Sequence, residues 1–495
     1  METGLEKGKM VQDALPEKEK LKRSLLARHM NMIAIGGAIG TGLFLASGAS
    51  VSTAGPGGAL VAYGVIGLMV YFIMTSLGEM ATHFPVSGSF GTYATRYVDP
   101  ALGFAIGWNY WLNWAITLAV EIVAGALIMK FWFPDTPAIV WSALFLMVIF
   151  GLNYLSTKAY GESEYWFAGI KVSLVVIFLI VGALMIFGLI GGKAPGFSNW
   201  TTGEAPFVGG IGSLIGIFMI AAFSFQGTEL VGIAAGESEN PEKNVPKAIN
   251  TVFWRILLFY IGAMIVIGFL LPYTDDNLLK TDVESVAVSP FTLVFERAGF
   301  VAAASLMNLV ILTSVLSCGN SGLYASTRML YALAKEGKAP SIFARVNKRG
   351  VPANALIITT VFGFLAFLTS LVGEGTAYTW LLNLSGMTGF VVWLGIALCH
   401  YRFRRAFHAQ GKDVSTLKYR AKWFPFGPIF AFLLCFVVMI GQNYGAFTGE
   451  AVDWNGAMAT YIGIPVIAAF YLWYKITHKT KLIPLKEVDL SSHDY

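Results

Sequence analysis

Apolar runs of about twenty residues recur along the whole chain, and that recurrence is the strongest limit on its fold. An α-helix rises 1.5 Å per residue, so about 20 apolar residues cross the hydrocarbon layer of a bilayer. Twelve such spans can be placed, near 31–53, 58–83, 101–132, 137–156, 164–190, 208–236, 250–272, 298–330, 354–372, 377–401, 426–445 and 456–476. Only 13% of the residues are charged, against about 25% in soluble domains. The chain reads as an all-α membrane protein with twelve transmembrane helices, in contact with lipid. A charged leader, 1–30, precedes a first run of full spanning length, which is not the pattern of a cleavable signal. A polar tail, 477–495, follows the last run.

The net charge of +5 is gathered in particular loops and is no nucleic-acid signal. Basic residues fill the leader, the loops after spans six, eight and ten (Lys243, Lys247, Arg345, Arg349, Arg402, Lys418 among them) and the tail. Loops on the other side are acidic or sparse, with Lys193, Lys280 and Arg297 as exceptions. This asymmetry puts both termini in the cytoplasm. Cys318, Cys399 and Cys435 all lie in apolar runs and read as small buried hydrophobes. No nucleophile–base pair, phosphate loop or metal-ligand spacing is present, so neither an enzyme nor a bound cofactor or metal is expected.

Span one carries Ile35-Gly36-Gly37-Ala38-Ile39-Gly40-Thr41-Gly42-Leu43-Phe44 at its middle. Each glycine costs a helix about 1 kcal/mol against alanine. Two readings follow: the helix breaks here and offers bare peptide groups to a ligand, or the glycines form a groove for close helix packing. Span six, five spans later, carries the similar polar stretch Phe223-Ser224-Phe225-Gln226-Gly227-Thr228-Glu229. Interrupted helices at matching places in two halves point to an inverted repeat. Spans one to five (31–190) and six to ten (208–401) form a 5+5 core, with 426–476 peripheral.

Ionisable residues inside spans are expensive and face a cavity or a partner. Tyr110, Trp114, Thr117 and Glu121 share one face of span three, suiting either a wet cavity or a polar helix seam. Glu229 stands beside the second interruption, as a titrating group or as a cap for freed amides. Glu237 lies nearer the cytoplasmic end, either solvated or proton-carrying. Lys171 either snorkels to the surface or is a fixed cation between the repeats. Ser314, Ser317, Ser321 and Arg328 share a face of span eight, while Asn383 and Ser385-Gly386 punctuate span ten. These small polar groups either glue helices or line a path. His83, His400 and His408 sit at loop edges and are expected to be solvated.

The span-one glycine stretch, Pro85-Val86-Ser87-Gly88-Ser89-Phe90, Gly107-Trp108-Asn109-Tyr110-Trp111, Gly236-Glu237-Ser238-Glu239-Asn240-Pro241 and Ser321 to Leu330 together resemble the amino acid–polyamine–organocation superfamily, in its bacterial amino-acid permease branch. The likeness runs from about Leu25 to about Lys475. It implies a leucine-transporter-type fold with helices one and six broken, in the bacterial inner membrane, and inward symport of an L-amino acid with a proton. Phe223 to Leu230 and Ser385 to Phe390 look most like members that carry L-lysine; Glu121 departs from them, where an aspartate is expected. The resemblance implies that amides near Thr41 and Gly42 take the α-carboxylate. Carbonyls near Ile35, Phe223 and Gln226 would take the α-ammonium, with Phe223 as an aromatic gate. Tyr110, Trp114, Glu121, Glu229 and span eight at Ser314 would form the side-chain pocket, with Ala38 in the first break. Lys171, Glu229 and Glu237 are the implied proton-coupling groups. A permease for an aromatic amino acid or 4-aminobutyrate, an exchanger, and a membrane sensor are the alternatives.

Overall fold

The computed structural model describes residues 21–37, 39–44, 46–279, 289–300, 302–372, 381, 388–447 and 452–492, and every regular element among them is helical. The chain runs through α1 (Ala27–Gly36), α2 (Thr41–Phe44), α3 (Ala46–His83), α4 (Ser89–Tyr97), α5 (Pro100–Met129), α6 (Ala138–Leu155) and α7 (Thr157–Ile186). It continues with α8 (Gly210–Ser224), α9 (Leu230–Ala234), α10 (Pro241–Leu270), α11 (Pro290–Arg297) and α12 (Ala303–Lys335). The last elements are α13 (Ala353–Leu368), α14 (Thr388–Ala409), α15 (Phe426–Gly441), α16 (Trp454–Tyr461) and α17 (Gly463–His478).

Among the described residues, six helices are long and apolar enough to cross a membrane: α5, α6, α7, α10, α12 and residues Ser47–His83 of α3. The glycine-rich stretches shorten others, and 373–380 and 382–387, with Asn383 and Ser385-Gly386, lie outside the described residues. The sequence stretch 283–296 is expected to form a short external helix before span eight; it is helical over Pro290–Arg297 (α11), and 283–288 lie outside the described residues.

Local chemistry sets the helix starts. Asp99 accepts from the Ala101 amide, with Pro100 at the first helical position of α5. Ser156 accepts from the Ala159 amide and starts α7 seven residues before the expected 164. Pro241 likewise starts α10 well before 250. Gly55, at φ 75°, ends the first part of α3 and lets Pro56 restart it, which is the boundary expected between spans one and two.

Helix α5 is buried along nearly its whole length and packs along α12, while α1 lies along α7 and α8 along α3. Large apolar side chains point outward from α6 (Val140, Met147), α7 (Trp166, Ile180), α15 (Leu433, Val437) and α17 (Trp473, Ile476). Such a girdle suits lipid and not water.

The tail is docked against the helices. Arg402 bonds the Ile483 carbonyl, Gln410 the Leu485 and Val488 carbonyls, and Arg96 the Asp489 and Ser491 carbonyls. Val488 and Leu490 are buried beneath this strap. His400 is not solvated as expected: it is fully buried, 3.3 Å from Glu79, which also pairs with Arg404.

A candidate binding seam between two broken helices

Both expected interruptions are present. At the end of α1 the Gly37 amide returns to the Ile33 carbonyl, 2.9 Å. The Ile39 amide then takes the Gly36 carbonyl, 3.1 Å, instead of the Ile35 carbonyl four residues back. Helix α2 restarts with the Leu43 and Phe44 amides on the Gly40 carbonyl, both 3.2 Å. Helix α8 stops at Ser224, Gly227 takes φ +90°, and α9 starts at Leu230. The two breaks touch. A Cβ on Gly42 would lie 2.6 Å from Ser224 Cα, and one on Gly227 would lie 3.1 Å from the Gly37 carbonyl oxygen. A Cβ on Gly36 would fall 2.3 Å from the Ala168 side chain of α7. Among the described residues, nothing lies within 4 Å of where a Cβ on Gly40 would stand. These glycines therefore both break the helix and admit its neighbours.

Two buried cations enter the breaks. Lys171 is fully buried on α7 and does not snorkel; its Nζ donates to the Gly36 and Ile39 carbonyls, each 3.0 Å. Those carbonyls have left the regular helical ladder, and the ammonium satisfies them where lipid offers nothing. Arg255 of α10 donates through Nη1 to the Ala34 carbonyl and through Nη2 to Thr228 Oγ1, 2.7 Å. Position alone groups Arg255 with the basic loop after span six. The longer α10 carries it inside.

Glu164, at the start of the expected span 164–190, is a second charged residue that the sequence does not single out on hydropathy. It is buried on α7, where Ser317 Oγ and Asn320 Nδ2 of α12 donate to its carboxylate, both 2.7 Å. Glu164 and Lys171 stand seven residues apart, two turns on one face, and that spacing is the sequence signal for the pair.

Glu229, 4% exposed, lies at the second break. Its Oε2 accepts from Trp393 Nε1, 3.0 Å, and its Oε1 faces the Tyr110 hydroxyl at 3.4 Å. The Tyr110 ring stands 4.6 Å from Phe90 and 6.1 Å from Trp114, and Trp114 borders Gly227 and Gly322. The stripe on α5 thus divides: Tyr110 meets Glu229 and Trp114 borders Gly227, while Glu121 lies farther along beside Cys318 and Gly319. Thr117 turns its hydroxyl back to the Asn113 carbonyl, 2.8 Å.

Phe223 is half-buried on the last turn of α8, and its carbonyl accepts the Gln226 amide, 3.1 Å. The Gln226 side chain covers Gly389 of α14. Ile35 is half-buried at the first break. The Ser314 hydroxyl is bonded to the Val310 carbonyl of its own helix, 2.8 Å. Ala38 lies outside the described residues, as does the Thr41 side chain.

Glu237 is not solvated. It is fully buried and pairs with Arg328 Nε at 2.8 Å, while Thr157 Oγ1 (2.6 Å) and the Tyr324 hydroxyl (2.7 Å) donate to it. Its backbone carbonyl accepts the Ser24 and Leu25 amides, both 3.0 Å. The segment after α9 is thereby tied to α7, α12 and the start of the chain. Arg328, on the face of span eight shared with Ser314, Ser317 and Ser321, is the buried partner.

The Amino acid permease family matches residues 29–486. The Lysine-specific permease LysP of Escherichia coli is 60% identical over 475 residues, covering 96% of this chain and 97% of that protein. The protein of the same name from Lactococcus lactis is 55% identical, over 96% of this chain and 94% of its own length. The Histidine permease HisP of Lactococcus lactis is 52% identical, over 96% of this chain and 99% of its own.

Proposed function

The chain belongs to the amino acid permease family and is a multi-pass membrane protein, and on that premise we propose that it imports L-lysine together with a proton by alternating access. The observation that carries this reading is the contact of two helix breaks, Gly42 on Ser224 and Gly37 on Gly227, each with a buried cation bonded into it. Freed peptide groups at membrane depth are a place for a zwitterion, because lipid cannot satisfy them. The similarity to two lysine-specific permeases supports the choice of substrate.

In this reading the α-carboxylate sits by the Thr41 and Gly42 amides, beside Gly40. The α-ammonium meets the Ile35, Phe223 and Gln226 carbonyls; a carbonyl has two lone pairs, so the Phe223 bond to Gln226 leaves one acceptor site. The ε-ammonium reaches along the Tyr110–Trp114 stripe toward Glu229 or Glu121, since a buried cation needs a carboxylate or carbonyl cluster. Phe223 closes over the substrate. Glu229, Glu237 and Lys171 are the groups whose titration would link proton entry to the cycle, in that order. Twelve spans in a 5+5 inverted repeat, both termini in the cytoplasm and a bacterial inner membrane complete the reading. The breaks at spans one and six and the basic loops support it.

Competition tests the substrate. Labelled lysine uptake into proteoliposomes is measured against unlabelled lysine, histidine, an aromatic amino acid and 4-aminobutyrate. The reading expects lysine to compete at least tenfold better than the rest, about 1.4 kcal/mol of discrimination. Stronger competition by histidine would move the chain to the function its histidine-permease relative is named for.

A further inference from the structure

Arg255 is a buried charge with no carboxylate bonded to it among the described residues. It stands on α10 just before that helix's π-helical turn, Ile256–Ile261, and is 1% exposed. Its two bonded acceptors, the Ala34 carbonyl and the Thr228 hydroxyl, are neutral. Its Nε is buried and bonds nothing. Buried Arg328 and Arg404 are bonded to carboxylates, Glu237 and Glu79; Arg255 feels one, Glu229, only at longer range, as Lys171 feels Glu164 and Glu121. Among the described residues, no carboxylate comes within ion-pair distance of Arg255. A lysine in this position would escape the cost of burial by losing a proton; a guanidinium keeps its charge. A permanent positive charge is therefore held against both breaks, with one donor to spare.

The rest of this face of α10 follows the same seam. The Tyr260 hydroxyl donates to the Ser224 carbonyl, 2.9 Å, and Ser224 is the residue that Gly42 touches. Arg255 and Tyr260 thus line both breaks from one side.

We propose that Arg255 is the fixed counter-charge for the substrate's α-carboxylate, and that it makes the seam select amino acids over the amines that lack a carboxylate. The proposal rests on the transport reading above. The amides of the first break orient the carboxylate, and Arg255 supplies the charge. A diamine brings an ammonium to the place beside Arg255 where an amino acid brings the negative group that balances it.

The test is a cycle that removes the charge from the protein and the carboxylate from the ligand. Binding of L-lysine and of 1,5-diaminopentane, which is lysine without its carboxylate, is measured on the purified full chain and on Arg255→Gln. The wild type is expected to prefer lysine by at least 100-fold. Arg255→Gln should lose lysine affinity at least 30-fold and hold the diamine as well as before or better, so that the preference collapses. Equal losses for both ligands would mean a structural role only and would overturn the proposal, as would undiminished lysine binding. Should Arg255→Gln fail to fold, Arg255→Lys decides: a larger loss for lysine than for the diamine supports the proposal, and equal losses overturn it. A wild type that binds no lysine ends the lysine reading; histidine against histamine then settles the role of Arg255.

Discussion

At the residue scale, the seam depends on side chains that replace the solvent a broken helix lacks. Lys171 is bonded to the Gly36 and Ile39 carbonyls and lies near Glu164. Lys171→Met leaves two carbonyls and a buried carboxylate without their cation, so unfolding in detergent should become easier by about 3 kcal/mol or more. Thermal denaturation followed on tryptophan fluorescence reads this, and an unchanged midpoint would mean that Lys171 is dispensable to the break. Glu229 is different: a tryptophan and a tyrosine donate to its carboxylate, and no cation is bonded to it. Glu229→Gln keeps a side chain of the same shape that cannot titrate. Accumulation of lysine above equilibrium should be abolished. Undiminished gradient-driven accumulation would remove Glu229 from the coupling groups.

At the element scale, movement has to break what holds the segment after α9. Glu237 ties it to Arg328, Thr157 and Tyr324 at once. Glu237→Gln retains hydrogen bonds but loses the ion pair, which favours states in which this end of the seam is open. Cys318, half-buried beside Glu121, is a built-in reporter. With Cys399 and Cys435 replaced by alanine, alkylation of Cys318 by a membrane-impermeant reagent from the cytoplasmic side should speed up about tenfold in Glu237→Gln, and unchanged labelling would mean that the ion pair is no latch. The breaks themselves are legible in the sequence, because four glycines and a polar Gly-containing stretch are poor helix formers in apolar surroundings. The Tyr110–Trp114–Glu121 stripe is legible from helical spacing. Arg255, Trp393 and the pairing of Glu237 with Arg328 are not. A charged residue near a span end, such as Arg255 or Glu237, reads as loop-side, and the early start of α10 at Pro241 carries Arg255 well inside its helix. Which helices then face each other is set by long-range packing, which periodicity does not encode.

At the scale of the whole molecule, the docked tail couples the end of the chain to α4 and α14. Burial pushes the Asp489 carboxyl up, but the Ser491 amide and hydroxyl and the Arg96 guanidinium outweigh it and hold the carboxyl below its ordinary value. A depressed carboxylate contributes its stabilisation above the unfolded value, about 3.9, and loses it as the pH falls through the lower folded value. Amide exchange at Val488–Ser491 should be protected at neutral pH and become fast below about pH 4; protection that persists there would show that the apolar contacts of Val488 and Leu490 suffice. The transport cycle is the property of the entire chain, and one measurement reaches it most directly. Purified protein in liposomes is given labelled L-lysine outside and an inward proton gradient, with and without a protonophore. The account predicts accumulation above the outside concentration that collapses when the protonophore is added. Lysine that only equilibrates, at the same rate with or without the gradient, would contradict it.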